Sequence, residues 1–215
     1  DQFDKIYKHL TPIFSMKSEK ILEDLALSIG IVATSVPKQK FKKKILPQVK
    51  RLIAQIQPQI KENLGQSLIL IAKIRQDLFA KDYFQELLME YIMDADDQSR
   101  NRMFSFFKEN TAAKTMLDLF VKVVEEYLPE VNQSDSGHLN LINSILELLG
   151  NSSDSVLVEL SKMTDFLQLV IEVPKENLAV YKNAVILISN VSKHSLYSLI
   201  LSWDFLEDAF NSEMD

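Results

Sequence analysis

The sequence predicts an all-α fold, a single helical-repeat domain of about five stacked repeats running through residues 1–215. Three observations carry that prediction. The chain is 47% hydrophobic, enough for a continuous core, yet only four glycines and six prolines punctuate its 215 residues, so the turn-rich vocabulary of sandwiches and barrels is missing. It also resembles itself at a spacing of 39 to 40 residues. Finally, its apolar residues recur at helical spacing in segments separated by Pro37, Pro58, Pro129 and Pro174, where a helix has to stop.

The self-similarity is legible residue by residue. At an offset of 39, Leu25 to Ala33 lies over Leu64 to Ala72 and agrees in apolar, small and serine positions almost throughout. A further step of 39 reaches Met103 to Phe107, which keeps the apolar rows and loses the small ones. At an offset of 40, Asn143 to Gly150 lies over Asn183 to Asn190, and at 39 Thr164 to Leu167 lies over Trp203 to Leu206. A period near 40 in a helical sequence belongs to units of two or three helices, each unit burying its apolar face on the next.

Taken in order, the chain reads as helices over 2–14, 18–35, 38–56, 59–75, 80–93, 97–109, 112–128, 138–150, 154–162, 164–172, 176–191, 194–201 and 203–211. Pro47 falls inside the apolar pattern of Phe41, Ile45, Leu46 and Val49, which predicts a kink or short break in the third helix. Asp94 to Asp97 lacks the glycine and the distal glutamate of a calcium loop and reads as an inter-helix turn with an acidic N-cap. Residues 132–137 are polar and small throughout, marking a joint at 131–137. On the last helix, Trp203, Leu206 and Phe210 share one face and read as core.

The last two repeats, NLINSILELLGNSSDSVLVELSKMTDFLQLVIE and VYKNAVILISNVSKHSLYSLILSWDFLEDAFNS, resemble armadillo repeats: a long helix ending in a small or Asn turn, a short helix, and an apolar helix opening on Phe-Leu. The earlier segments ILPQVKRLIAQI and QIKENLGQSLILIAKI resemble paired HEAT helices. The resemblance therefore divides the domain into a HEAT-like part, 1–130, and two armadillo-like repeats, 138–213. It implies an α-solenoid whose concave groove, lined by the last helix of each repeat, holds a partner peptide or helix. On that basis Asn143, Leu146, Asn183, Ile186 and Asn190 are the candidate partner-binding residues. In armadillo proteins that read nuclear-localisation peptides a tryptophan stands four residues before the groove asparagine; here Ile186 precedes Asn190, and Leu146 precedes Gly150. That departure argues against an importin-like reader.

No residue pattern points to chemistry. His9, His138 and His194 stand apart, with no second ligand at the spacing that would put a metal on one helix face. There is no cysteine, no Gly-rich phosphate loop and no nucleophile elbow. The reading is a non-enzyme without cofactor. A basic run of Lys40, Lys42, Lys43 and Lys44, continued by Lys50 and Arg51, stands out against a net charge of −6 and makes helical-repeat nucleic-acid binding the alternative function. No apolar run approaches the ~20 residues of a membrane span. Absence of cysteine fits the cytoplasm or nucleus. A start at Asp1 without methionine is expected of a segment of a larger protein.

Overall fold

Each predicted segment can bury one face only by lying against another helix, and that requirement organises the whole chain. The computed structural model describes residues 2–109, 112–130 and 136–212, and among them regular structure is entirely helical. The chain divides into two units, Asp1–Met103 and Phe104–Asp215. The division falls inside α8 (Asp97–Glu109), so each part of that helix is described with its own unit. Residues 131–135 of the expected joint lie outside the described residues.

The first unit holds α1 (Gln2–Phe14), α2 (Glu19–Thr34), α3 (Lys38–Lys40), a π-helical turn (Phe41–Ile45), α4 (Leu46–Ile53), α5 (Pro58–Ile74), the short α6 (Gln76–Phe79), α7 (Asp82–Asp94) and the start of α8. The π turn answers Pro47. A proline ring clashes with the carbonyl four residues back and cannot donate to it, and one wider turn ahead of the ring relieves both problems without stopping the helix. The Tyr7 hydroxyl donates to the Lys44 carbonyl in this turn, at 3.2 Å. The segment expected as a helix over 80–93 is α7, and the single turn of α6 ahead of it, where the chain reverses after Ile74, was not expected.

Residues that meet across two helices keep a constant difference in number when the helices are parallel and a constant sum when they are antiparallel. In the first unit the difference is constant. Asn63 Nδ2 donates to the Glu23 carbonyl at 3.1 Å, and Ser67 Oγ to that of Ala26 at 2.6 Å, so α5 runs parallel to α2. Arg102 on α8 pairs with Glu62 on α5, extending this row. A second row is parallel as well: Asp4 on α1 meets Lys44 on the neighbouring helix at 2.8 Å, and Lys50 on α4 meets Glu90 on α7 at 3.0 Å.

Close approach of α2 and α5 depends on Gly30. A Cβ built there would lie 2.8 Å from both Cα and Oγ of Ser67, so the absent methyl is what lets the backbones meet. The Ser67 hydroxyl uses that gap, accepting from the Gly30 N–H at 3.1 Å while donating to Ala26. Around it Leu22, Leu25, Ile29, Leu64, Leu68 and Ile71 are buried, each stabilising the unit by about 1.5–3 kcal/mol relative to exposure. Helix ends are closed by arginines. Arg75 donates to the carbonyls of Ala33 in the last turn of α2 and of Val36 just past it, and buried Arg100 donates to those of Ile92 and Ala95 at the end of α7. The Asp94 to Asp97 turn is the expected cap: Asp96 accepts from the Ser99 N–H at 2.9 Å.

The second unit holds the end of α8, α9 (Ala112–Tyr127), a 3₁₀ turn (Leu128–Glu130), α10 (Ser136–Gly150), α11 (Asp154–Leu160), α12 (Thr164–Ile171), α13 (Leu178–Ser192), α14 (Leu196–Leu201) and α15 (Trp203–Ser212). Its core gathers Phe104, Phe107 and Phe120, whose rings meet at 5.5–6.3 Å, and continues through Leu141, Ile145, Leu149 and Leu187. The constant difference recurs. Asn183 Nδ2 donates to Asn143 Oδ1 at 2.9 Å, and Asn190 Nδ2 to the Gly150 carbonyl at 2.8 Å, each pair 40 residues apart, so α13 lies parallel on α10. Lys108 and Glu147, 39 apart, carry the same step from α8 to α10. Gly150 plays the part of Gly30 here, its built Cβ falling 3.2 Å from the Leu187 nitrogen.

Candidate functional site

The face of α10 that receives α13 is spelled by Asn143, Leu146 and Gly150, spaced three and four apart along one side of the helix. Forty residues on, the same side of α13 carries Asn183, Ile186 and Asn190. Leu146 is fully buried, whereas Ile186 is 40% exposed. Beside Ile186 a groove of about 470 Å³ opens between α13 and α15. Leu178, Tyr181, Lys182 and Val185 form its α13 wall, and Ala209 and Phe210 its α15 wall. Leu178 and Phe210 stand 60% and 62% in solvent, an uncommon disposition for large apolar side chains close together.

Tyr181 adds a polar element. The residue is 7% exposed and its ring packs edge-on against Phe205, with centroids 5.4 Å apart. Its hydroxyl is buried without a hydrogen-bond partner among the described residues. A buried phenol left unpaired costs about 1–3 kcal/mol. Charge is divided between the walls: Lys182 lies exposed on α13, while α15 carries Glu207 and Asp208 next to Ala209 and Phe210, with Asp208 reaching Lys175 at 3.4 Å.

The five residues expected to line a partner groove therefore separate. Ile186 lines one. Leu146 is buried in the packing of its own unit and offers nothing to a partner. Asn183 and Asn190 spend their amide N–H groups on α10, and Asn143 receives one of them, so these amides hold the helix pair together. The core reading of Trp203, Leu206 and Phe210 holds for Leu206 alone; Trp203 and Phe210 are exposed, Phe210 on the groove wall facing α13. Sequence reasoning missed the groove as such.

The basic helix is largely neutralised. Lys40 and Lys44 both bind Asp4, at 2.6 and 2.8 Å, and together hold its carboxyl down to about 2. Lys50 pairs with Glu90, and Arg51 donates to the Met16 carbonyl at 3.2 Å. Lys42 lies over the Tyr83 ring, 5.1 Å from its centroid, and Lys43 is exposed with no partner among the described residues. With exposed Lys38, these make a short stripe for a phosphate backbone. Among the described residues no group of three or more His, Asp or Glu side chains is placed to hold a metal ion, and no helix is long and apolar enough to cross a membrane. Comparison with models of known protein families, with curated proteins and with solved structures found no match to this chain.

Proposed function

We propose that the chain is an armadillo/HEAT-like α-solenoid and serves as a non-catalytic scaffold, holding a partner protein as a peptide or helix against its α13 face. The observation that supports this most is register. In both units, side chains about 40 residues apart meet on parallel helices, the geometry produced when one repeat stacks on the next. Such a stack offers each helix a predecessor's face and presents its own to whatever follows, and the α13–α15 groove is a presented face lined with apolar groups. The lack of cysteine agrees with action in the cytoplasm or nucleus.

The test is an affinity capture from cell lysate with the 215-residue chain as bait, run with and without nuclease. The scaffold reading expects a discrete protein that survives nuclease, is lost with Ile186→Arg and is kept by a Lys42→Glu, Lys43→Glu double variant. Retention that nuclease abolishes, or that the lysine variant alone destroys, would move the function to nucleic acid.

A further inference from the structure

We propose that the chain binds a phosphate monoester between Lys38 and Lys81, where the helical run α3 to α4 and helix α7 begin side by side. Register places the two lysines together. Lys50 meets Glu90 at 3.0 Å, and two turns earlier Lys42 stands over the Tyr83 ring, 5.1 Å from its centroid. The two helices are therefore parallel, and one further turn back, where α7 has just begun, Lys38 comes beside Lys81, close enough for the side-chain nitrogens to interact directly. At Lys50 this seam sets a lysine against a glutamate; at Lys38 it sets a lysine against a lysine. The carboxylate within range of Lys38 is that of Asp77, and both its oxygens are already held by Arg75, at 2.8 and 2.9 Å. Asp82, next to Lys81 in sequence, forms no ion pair among the described residues. Partial desolvation, and after it the Lys81 charge, hold the Lys38 ammonium below the usual lysine range.

An anion set between the two ammonium groups relieves this conflict of like charges. Its chemistry follows from the site. A phosphate monoester carries close to two negative charges near neutral pH and answers both lysines, where a carboxylate answers one. Its remaining oxygens accept from the start of α7. There the cap residue is Lys81 itself, which has no side-chain oxygen to close the first turn and so leaves the first N–H groups of α7 for an outside acceptor. Lys42, one turn along the same helix face from Lys38 and held over Tyr83, adds a third positive charge beside the pair. A phosphodiester, with a single charge, meets fewer of these groups. Lys38, Lys42 and Lys81 are all exposed, so the anion enters from solvent without movement of either helix. The site lies on elements that the scaffold reading does not use.

Inorganic phosphate is the first probe, titrated at constant ionic strength into the isotope-labelled full chain and followed by amide NMR shifts. Saturable shifts are expected at residues 38–40 and 81–84, with a Kd of about 1–10 mM, and acetate is expected to bind about threefold more weakly or worse. Lys38→Gln combined with Lys81→Gln should weaken phosphate by about tenfold or more, whereas Lys122→Gln, at an exposed lysine of the second unit, should leave it unchanged. Lys81→Glu, which gives Lys38 an internal carboxylate, should abolish the shifts in a chain that stays helical by circular dichroism. Free phosphoserine and a short flexible peptide carrying one phosphoserine then separate two sources of the ester. Equal affinity assigns the site to small phosphate esters, and a peptide about tenfold tighter assigns it to a phosphorylated protein segment; the lysine pair is required for both. Absence of saturable shifts, shifts spread over lysines throughout the chain, equal affinity for phosphate and acetate, or binding untouched by the double glutamine variant would each overturn the proposal.

Discussion

Replacing Gly30 with alanine tests the closest helix contact in the first unit. In an ordinary helix interior the change is favourable by roughly 1 kcal/mol, because alanine loses less backbone freedom on folding. Here the new methyl would sit 2.8 Å from the Ser67 Cα and 2.8 Å from its Oγ. A side-chain atom can turn away, but a backbone Cα can retreat only if α5 moves as a body. Overpacking of this kind costs about 1–3 kcal/mol. Displacing Ser67 also strains its bonds to Gly30 and Ala26, each contributing about 1 kcal/mol. The expected sum is a destabilisation of about 1–3 kcal/mol after the propensity gain is subtracted. Ser67→Ala in the same background is not expected to rescue it, since the backbone clash remains. Urea unfolding followed by far-UV circular dichroism reads the total, and hydrogen exchange of α2 amides reads it locally. A Gly30→Ala chain as stable as wild type, or more so, would mean that α2 and α5 do not approach as described.

Three further outcomes follow from the same geometry. Asp4, held near 2 first by hydrogen bonds from Lys40 and then from Lys44, has a folded pKa below its usual 3.8, so the stability it confers is complete above about pH 4 and is lost as pH falls through 2; a carboxyl resonance of Asp4 titrating at 3.8 or higher by NMR would contradict the pairing. Arg100→Met should cost about 2–4 kcal/mol in thermal or urea unfolding, because it removes the donors that close the end of α7 and leaves the Ile92 and Ala95 carbonyls without them. With Lys40, Lys44 and Lys50 paired to carboxylates and Lys38, Lys42 and Lys43 left exposed, duplex DNA bound through the basic helix should lose affinity with salt along a logarithmic slope no steeper than about −3, and a slope several times that would restore the nucleic-acid reading.

Much of the fold was legible because local rules and the repeat agree. Prolines 37, 58 and 174 end or open helices where periodicity also breaks, and the overlay of Leu25–Ala33 on Leu64–Ala72 turns out to be a pair of helices in parallel contact. Pro47 announced a disturbance but not its form, since a π turn and a break relieve the same clash. The site was less legible. Asn183 and Asn190 were singled out as polar groups on a groove, but periodicity does not say whether an amide bonds a partner or the preceding helix, and here they bond α10. The basic helix looked unpaired because its counter-charges lie far off in sequence. A 40-residue shift brings Asp4 opposite Lys44 and Lys50 opposite Glu90, so the 40-residue spacing of the sequence held that information. Trp203 and Phe210 share a helix face with Leu206, yet helical spacing alone does not reveal how much of that face a neighbouring helix covers.

The central claim is that α5 lies parallel on α2 in a register of about 40 residues, and distances between spin labels test it most directly. The chain has no cysteine, so labels go only where cysteines are introduced. Within the first unit, Lys20→Cys with Gln59→Cys and Ile31→Cys with Leu70→Cys are expected to give similar short distances in pulsed electron resonance. The crossed pair, Lys20→Cys with Leu70→Cys, is expected to lie further apart, by an offset of about 16 Å along the helix axis. The reverse pattern, with the crossed pair short and the direct pairs long, would mean antiparallel helices and would contradict the parallel register on which the scaffold reading depends.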